Sequence, residues 1–255
     1  MAPSTTDHTA ARIQVLGGPT ALIEIGGLRL LTDPTFDEPG DYEVGPGRFL
    51  TKTASSGIQA AELGALDAVL LSHDEHPDNL DRAGRAMLAT VPSVFTTRSG
   101  AQRLGGNARG LEPWEQTELA RPDGGVLTVT AVPAQHGPQG CEPFTGDVIG
   151  FVLTAADLPS VYVSGDNASL ELVEEIAQRF GPVDTAVLFA GAARTLVLDG
   201  ALLTLDATMA ARAAGLLGAR RVVAAHADSW GHFTEGHAEI KAAFAAAGLT
   251  DRLTG

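Results

Sequence analysis

The chain passes from a short apolar strand directly into a dense group of ionisable side chains. The run from Asp67 to Leu71 has the pattern of a buried strand. The six residues from His73 to Asp78 then carry two histidines, two aspartates and a glutamate. Pro77 stands where it can open a helix, because the first helical position needs no backbone donor. A strand tip held between regular elements is a common mount for binding residues, although a solvated acidic turn fits this segment equally well.

Three further predicted strands end in the same way. The strands over 126–132, 160–164 and 221–225 are followed within a few residues by His136, Asp166 and His226. If these strands share a direction, their carboxyl ends meet at one edge of a sheet, and we expect the groups to meet His73 there. One histidine after a strand is more often structural or solvated than a ligand. Four such coincidences favour a metal centre.

The candidate ligands are imidazoles and carboxylates, without thiolates: His73, His76, Asp78, His136, Asp166 and His226. This donor set suits Zn²⁺, and also Mn²⁺ or Fe²⁺. About five or six ligands are too many for one tetrahedral ion. A site with two ions would use them all, with Asp166 as the bridging carboxylate, whereas one ion would leave some of them spare.

Composition narrows the classes of partner and location. Of 255 residues, 44% are hydrophobic and 19% charged, which is typical of a globular protein. The net charge of −14, without a basic cluster, repels phosphate backbones, so nucleic acid is not an expected partner. No apolar run approaches the ~18–20 residues of a membrane span, and no signal peptide is evident. We therefore expect a cytoplasmic protein that acts on a small molecule and not at a membrane. The single cysteine, Cys141, excludes a disulfide framework.

Apolar periodicity predicts two batches of strands, each accompanied by helices. Strands are expected at 12–16, 20–25, 28–31, 67–71, 93–97, 126–132, 148–154, 160–164, 185–189 and 221–225. Helices are expected near 79–89, 99–104, 170–180, 207–218 and 234–247. Residues 35–57 lack periodicity, which predicts a long functional loop. We expect a frayed tail over 1–10 and one domain over 11–255, an α/β (α+β) fold with two packed sheets and helices outside.

A set of five motifs in order resembles the metallo-β-lactamase superfamily. Four of them are the strand-end Ser-His-x-x-His-x-Asp-Asn-x-Asp that starts at Ser72, a later histidine after a strand, Gly-Asp at 165–166, and a final histidine. Thr32-Asp33-Pro34 and the segments 133–138 and 226–233 look most like the metal-dependent hydrolase branch that includes the ascorbate-6-phosphate lactonase. The resemblance covers about residues 12–235. It implies a four-layer αββα sandwich with a metal site between the edges of its sheets.

The family signature is His-x-His-x-Asp-His, and this chain departs from it in one of two registers. Aligning the tail matches 76–79 to the last four residues, which puts His73 one place early and Asn79 in place of the final histidine. Aligning the front keeps His73 in place and puts Glu75 in the slot of the second histidine. We prefer the first register, because the following helix then continues as it does in the family. Either register loses one imidazole, which weakens the second metal position unless Glu75 replaces it.

The resemblance also implies roles. His73, His76 and His136 would hold the first ion, Asp166 would bridge, and Asp78 with His226 would face the second. Asp78 would also orient the attacking water.

Two further residues have alternative interpretations. Asp33 is either an acceptor for a ligand histidine or the cap of an Asx-turn. His232 is a candidate to contact substrate or protonate a leaving group, or else it packs beside Trp230. The resulting prediction is a metal-dependent hydrolase that cleaves an ester, lactone, amide or phosphoester bond. The alternatives are a non-hydrolytic or iron-dependent redox enzyme on the same scaffold, and a metal-binding protein without catalysis.

Overall fold

Two β-sheets face each other in the computed structural model, which describes residues 10–254. The strands are β1 (Arg12–Gly17), β2 (Thr20–Ile25), β3 (Leu28–Thr32), β4 (Gly40–Gly45), β5 (Arg48–Lys52), β6 (Ala68–Leu70), β7 (Ser93–Thr97), β8 (Ala108–Leu111), β9 (Gln116–Ala120), β10 (Val126–Pro133), β11 (Ile149–Ala155), β12 (Leu158–Val163), β13 (Thr185–Phe189), β14 (Arg194–Thr195), β15 (Ala201–Leu202), β16 (Arg221–Ala225) and β17 (Leu253–Thr254). The α-helices are α1 (Arg82–Met87), α2 (Arg98–Leu104), α3 (Glu142–Thr145), α4 (Leu170–Phe180), α5 (Ala207–Leu216) and α6 (His237–Ala246).

Each sheet has an antiparallel half and a parallel half. The first sheet has the order β1-β2-β3-β6-β7-β8, and the second has the order β17-β16-β13-β12-β11-β10-β9. Strands β1, β2 and β3 pair antiparallel, and a tight turn at Gly26 and Gly27, whose φ angles of 56° and 77° suit a two-residue hairpin, joins β2 to β3. Strands β3, β6, β7 and β8 pair parallel, as do β12, β13, β16 and β17. The carboxyl ends of the parallel strands therefore collect at one edge of each sheet.

Three apolar clusters separate four layers. The central cluster lies between the two sheets and includes Phe95 from the first and Phe151 from the second. Helices α4, α5 and α6 cover the outer face of the second sheet, whereas α1 and α2 lie on the outer face of the first. In β13, Leu188 faces the helices while Val187 and Phe189 face the other sheet, which explains why the residues on both faces of this strand are apolar from Ala186 onward. The αββα sandwich predicted from the sequence is confirmed.

Residues 35–57 are not the loop without regular structure that the sequence predicted. They contain the hairpin β4–β5, and its last residue, Lys52, is buried. The Lys52 ammonium lies 3.2 Å from Asp81 Oδ2 and donates to Thr35 O at 3.1 Å. Lys52 also pairs with Trp230 in an isolated β-bridge. Apart from Lys52, the residues of both strands are exposed or only half-buried, so the hairpin has no apolar face whose alternation could reveal it.

Two helices begin later than predicted. Helix α1 begins at Arg82 because Asp81 is its N-cap, with Oδ1 accepting the N–H of Gly84 at 2.7 Å. Helix α6 begins at His237, because the Thr234 N–H donates to Gly191 O outside the helix. The predicted tail falls almost entirely on residues outside those described, so its division from a single domain stays a prediction. Within residues 10–254, no helix is long and apolar enough to cross a membrane.

Two helical glycines should respond to alanine in opposite directions. A Cβ on Gly84 would lie 1.9 Å from Pro34 O, so we expect Gly84→Ala to lower the free energy of unfolding by about 1–3 kcal/mol or more. A Cβ on Gly215 meets nothing within 4 Å, so Gly215→Ala should raise it by about 0.5–1 kcal/mol. Urea unfolding followed by circular dichroism checks both changes. A Gly84→Ala variant as stable as Gly215→Ala would show that the close approach does not constrain the fold.

Candidate metal centre

The two sheets meet where β6 and β12 end. The Ile149 N–H donates to Ser72 O at 3.2 Å and so ties the second sheet to the end of β6. Gly165 has φ of 57°, and a Cβ there would lie 2.6 Å from Ile149 O and 2.9 Å from Ser72 Cβ. Only glycine allows this approach without displacement of its neighbours. The six residues predicted as metal ligands lie at this junction, in two groups of three whose ligand atoms are within 4.8 Å of one another.

The first group consists of His73, His76 and His136. His76 Nδ1 lies 3.0 Å from His73 Nε2 and 3.3 Å from His136 Nε2. His136 Nδ1 lies 2.8 Å from Leu203 O, which can only accept, so Nδ1 carries the proton and Nε2 presents a lone pair. Burial lowers the pKa of His73 well below its ordinary value, and burial together with His136 lowers the pKa of His76 to about 4. Both imidazoles are therefore neutral at pH 7, as metal ligation requires.

The second group consists of Asp78, Asp166 and His226, with His232 beside it. Asp78 Oδ2 lies 3.2 Å from His226 Nε2 and 3.0 Å from His232 Nε2. Burial disfavours a charged His226, but Asp166 and Asp78 outweigh this effect and raise its pKa to about 10. Burial likewise disfavours charge on both aspartates, but the neighbouring histidines hold both carboxyl pKa values below their ordinary range. The group thus attracts positive charge.

Asp166 lies between the two groups. Its Oδ2 is 3.6 Å from His136 Nε2, whereas its Oδ1 is 3.1 Å from His226 Nδ1. Asn79 Nδ2 donates to the same Oδ1 at 3.3 Å. The carboxylate can therefore offer one oxygen to each group, as a bridging ligand does.

The donor atoms fit metal cations on two counts. Ligands about 2.0–2.2 Å from one ion lie about 3.3–3.6 Å from each other in a tetrahedral site and about 2.8–3.1 Å in an octahedral one. The nearest donor pairs are 3.0 and 3.3 Å apart in the first group, and in the second group Asp78 Oδ2 lies 3.2 Å from His226 Nε2. Within the described residues, Asp78 Oδ1, Asn79 Oδ1 and His226 Nδ1 are buried without a hydrogen-bond partner. His226 Nδ1 is close to Asp166 Oδ1, but the two atoms lack hydrogen-bond geometry. Buried polar atoms are rarely left unpaired, so ions and water are the natural complement of this cluster.

Asp33 acts on His73 through Ser72. Asp33 Oδ1 accepts from the Ser72 N–H at 2.9 Å and from the Ser72 hydroxyl at 2.7 Å. Ser72 Oγ also lies 2.9 Å from His73 Nδ1. Because the single hydroxyl proton goes to Asp33, Ser72 Oγ accepts from His73 Nδ1–H, and His73 Nε2 is left free to bind. Asp33 therefore does not accept from His73 directly; it orients Ser72, which accepts the hydrogen bond from His73.

The structure follows the first of the two registers. His76 and Asp78 contribute to the two groups, and Asn79 is fully buried next to Asp166, where the signature has its last imidazole. Glu75 does not replace that imidazole. Its carboxylate forms an ion pair with Arg103 and lies outside both groups, so the structure does not support the alternative in which Glu75 makes up for the missing imidazole.

A cleft of about 300 Å³ opens over both groups. Its floor includes His76, Asp78, His136 and Asp166, and His232 lies in its wall. The rest of the wall comes from the hairpin β4–β5, helix α3 and residues 193–198. Of these segments, the sequence predicted a functional loop over 35–57, which contains the hairpin. It did not predict helix α3. A larger cleft of about 840 Å³, lined by β1, β16 and α6, contains none of the six predicted ligands.

Sandwiches of this layer order, with histidine and aspartate donors at the shared edge of the sheets, form the metallo-β-lactamase class of proteins. The chain belongs to the beta-lactamase superfamily, whose domain it matches over residues 28–227. The superfamily predicted from the sequence motifs is confirmed, whereas the resemblance to the ascorbate-6-phosphate lactonase stays a prediction. The match includes all six candidate ligands, from His73 to His226.

Three similar proteins place the chain more closely. An uncharacterized protein of Mycobacterium tuberculosis is 31% identical over 221 residues, which cover 76% of this chain and 52% of the relative. The chain thus spans about half the length of that relative. A UPF0173 metal-dependent hydrolase of Pyrococcus horikoshii is 24% identical and is covered over 85% of its length, by 86% of this chain. The crystal structure of an isothiocyanate hydrolase from Delia radicum gut bacteria has a TM-score of 0.78 at 24% identity, over 94% of both chains, which shows a shared fold.

Removing the Ser72 hydroxyl tests its link between Asp33 and His73. Ser72→Ala leaves the buried His73 Nδ1–H without its acceptor, which should cost about 1–3 kcal/mol of the free energy of unfolding. Metal binding should weaken by about 10–100-fold, because the imidazole is no longer oriented. Urea unfolding and metal titration measure the two effects.

The matched control is Ser55→Ala, which removes an exposed hydroxyl that donates to Glu38 Oε2 at 3.1 Å. Its stability should stay within about 0.5 kcal/mol of the wild type. If the two variants were equally stable and bound metal equally well, the orienting role of Ser72 would be ruled out.

Proposed function

We propose that this protein is a metal-dependent hydrolase that acts on a small molecule. The observation that carries the proposal is the pair of donor groups that share Asp166 on the floor of the cleft. The Pyrococcus relative, named a metal-dependent hydrolase and similar over most of both chains, supports the same activity. An ester, lactone, amide or phosphoester is the bond that this chemistry would cleave.

The proposed roles follow from the contacts of each side chain. His73, His76 and His136 would hold one ion, and Asp78, Asp166 and His226 a second, with Zn²⁺, Mn²⁺ and Fe²⁺ as the candidates. Such ions polarise a carbonyl or phosphoryl group and lower the pKa of water. Asp78 lines the cleft, and its Oδ1 has no partner within residues 10–254, so it can accept a hydrogen bond from the attacking water and orient it.

The cleft walls indicate the kind of substrate. Val44, Leu50, Phe144 and Val197 give an apolar lining, and the last two are exposed at the mouth. Arg48 and Arg194 also line the cleft, and within the described part of the chain neither forms an ion pair. By contrast, Arg98 pairs with Glu112 and Glu115 and does not line the cleft. We therefore expect a substrate with an apolar arm and one anionic group.

Metal content tests the centre directly. We expect His136→Ala and His226→Ala each to lose a large part of the metal bound by wild-type protein, because each removes a donor from a different group. Elemental analysis of protein purified without added metal measures this, with far-UV circular dichroism as the check on folding. Unchanged metal content in both variants would contradict the metal centre.

Turnover tests the chemistry. The wild type should hydrolyse at least one member of a panel of small esters, lactones, amides, phosphoesters and isothiocyanates, and a chelator should abolish that activity. Flat activity with saturating Zn²⁺ or Mn²⁺ would instead favour a metal-binding protein without catalysis. Bound iron together with oxygen-dependent turnover would favour the redox alternative.

The arginines should control affinity for the anionic group. We expect Arg194→Gln or Arg48→Gln to lower kcat/KM for an anionic substrate by about 10–100-fold, since a hydrogen bond to a charged group contributes about 1.5–3 kcal/mol. A neutral substrate of the same shape should be affected little. Arg212→Gln, an exposed residue on α5 that does not line the cleft, is the matched control. Equal losses for the charged and neutral substrates would refute a role in charge recognition.

A further inference from the structure

The second donor group lacks the imidazole that the family signature supplies. Asn79 stands at that position and directs Nδ2 toward Asp166 Oδ1 at 3.3 Å, so its amide donates a hydrogen bond there. Glu75, the other candidate replacement, is held by Arg103. The group is left with Asp78, His226 and the shared Asp166, so the fourth position of a tetrahedral ion is open to water or to one further side chain.

His232 is the further side chain that lies beside this group. Its Nε2 is 3.0 Å from Asp78 Oδ2, and His226 Nε2 is 3.2 Å from the same oxygen. Both separations fall in the range of about 2.8–3.6 Å that four- to six-coordinate ions impose on neighbouring ligands. Two imidazoles from different parts of one loop thus flank a single carboxylate oxygen. Phe233 packs against both rings, with centroids 4.5 Å from His226 and 4.4 Å from His232.

The backbone on both sides of His232 is held by distant strands and loops. The Gly231 N–H donates to Thr51 O at 2.8 Å, and the Thr234 N–H donates to Gly191 O at 3.0 Å. Trp230 pairs with Lys52, which is itself bound to the buried Asp81. A side chain fixed in this way reaches Asp78 without the entropy cost of ordering a loose loop.

The imidazole of His232 has one polar contact within the described residues. That contact is the one between Nε2 and Asp78, because Nδ1 is buried without a partner. Nε2 is therefore directed at the second donor group. This orientation suits a ligand better than a proton donor that must face the scissile bond.

We infer that His232 is a ligand of the second metal ion and supplies, from a loop more than 150 residues away, the imidazole that Asn79 does not provide. The inference rests on the proposed metal-dependent function. It gives the second site two imidazoles and two carboxylates, with Asp166 shared, and makes its affinity depend on a residue outside the signature.

Metal stoichiometry separates this role from that of a hydrogen-bond donor. The full-length protein is stripped with a chelator and titrated with Zn²⁺, for wild type, His232→Ala and His232→Gln. Glutamine keeps an N–H that can donate to Asp78 but has no imidazole lone pair. We expect two equivalents for the wild type, and for both variants one tight equivalent with the second weakened by more than about 100-fold, beyond what losing an indirect contact causes. His237→Ala removes a histidine of the same segment that pairs with Asp228 at 3.1 Å, outside both groups, and should bind as the wild type does.

Each other result overturns the inference. If His232→Gln keeps the second equivalent at wild-type affinity, His232 only donates a hydrogen bond to Asp78. If the wild type binds one ion and neither variant changes that binding, the inference fails while the proposed function stands. If the wild type binds no Zn²⁺, both fail. Far-UV circular dichroism and thermal unfolding of each variant confirm that any loss of metal occurs in folded protein.

Discussion

Two carboxylates buried at the meeting edge of two sheets set the terms for the rest of this structure. Taking a charge out of water costs several kcal/mol even after relaxation, so Asp78 and Asp166 require compensation. Histidines supply part of it, since they hold both carboxyl pKa values below their ordinary range despite burial. The raised pKa of His226, about 10, is the counterpart of the same effect. A divalent cation at this place would supply more positive charge than one proton can.

The donors are oriented by groups that have no choice of role. Leu203 O can only accept, and the Ser72 hydroxyl uses its one proton in a hydrogen bond to Asp33, so it can only accept from His73. His136 and His73 therefore both present Nε2 to the site. The two histidines are thereby fixed by a backbone carbonyl and by a short chain of hydrogen bonds. Metal-binding sites require their ligands to be oriented by neighbouring groups in this way.

The candidate metal ligands and the walls of the cleft belong to different parts of the fold. The candidate ligands follow the strands of the two sheets, whereas the cleft walls come from the hairpin β4–β5, helix α3 and residues 193–198. The walls are mostly apolar and also carry Arg48 and Arg194, in a chain whose net charge is −14. A scaffold that keeps its reactive groups on strand ends can change its substrate by changing such segments alone.

Much of the fold and the composition of the site could be read from local pattern. Apolar runs give the strands, and the carboxyl ends of parallel strands necessarily share an edge, so His73, His136, Asp166 and His226 could be expected to meet. Ser169 and Asp206 cap helices α4 and α5, and both are residue types that favour the position just before a helix.

Other features were decided by tertiary contacts alone. The burial of Lys52, the pairing of Glu75 with Arg103 and the approach of His232 to Asp78 join residues that are distant in sequence or that had another partner available nearby. Secondary-structure periodicity is a property of neighbouring residues and carries no information about such pairs. The sequence by itself therefore determined which candidate metal ligands this protein has and at which strand ends they lie. Only the packed structure decided which donor stands beside which, because that choice depends on the shape and charge of the whole junction.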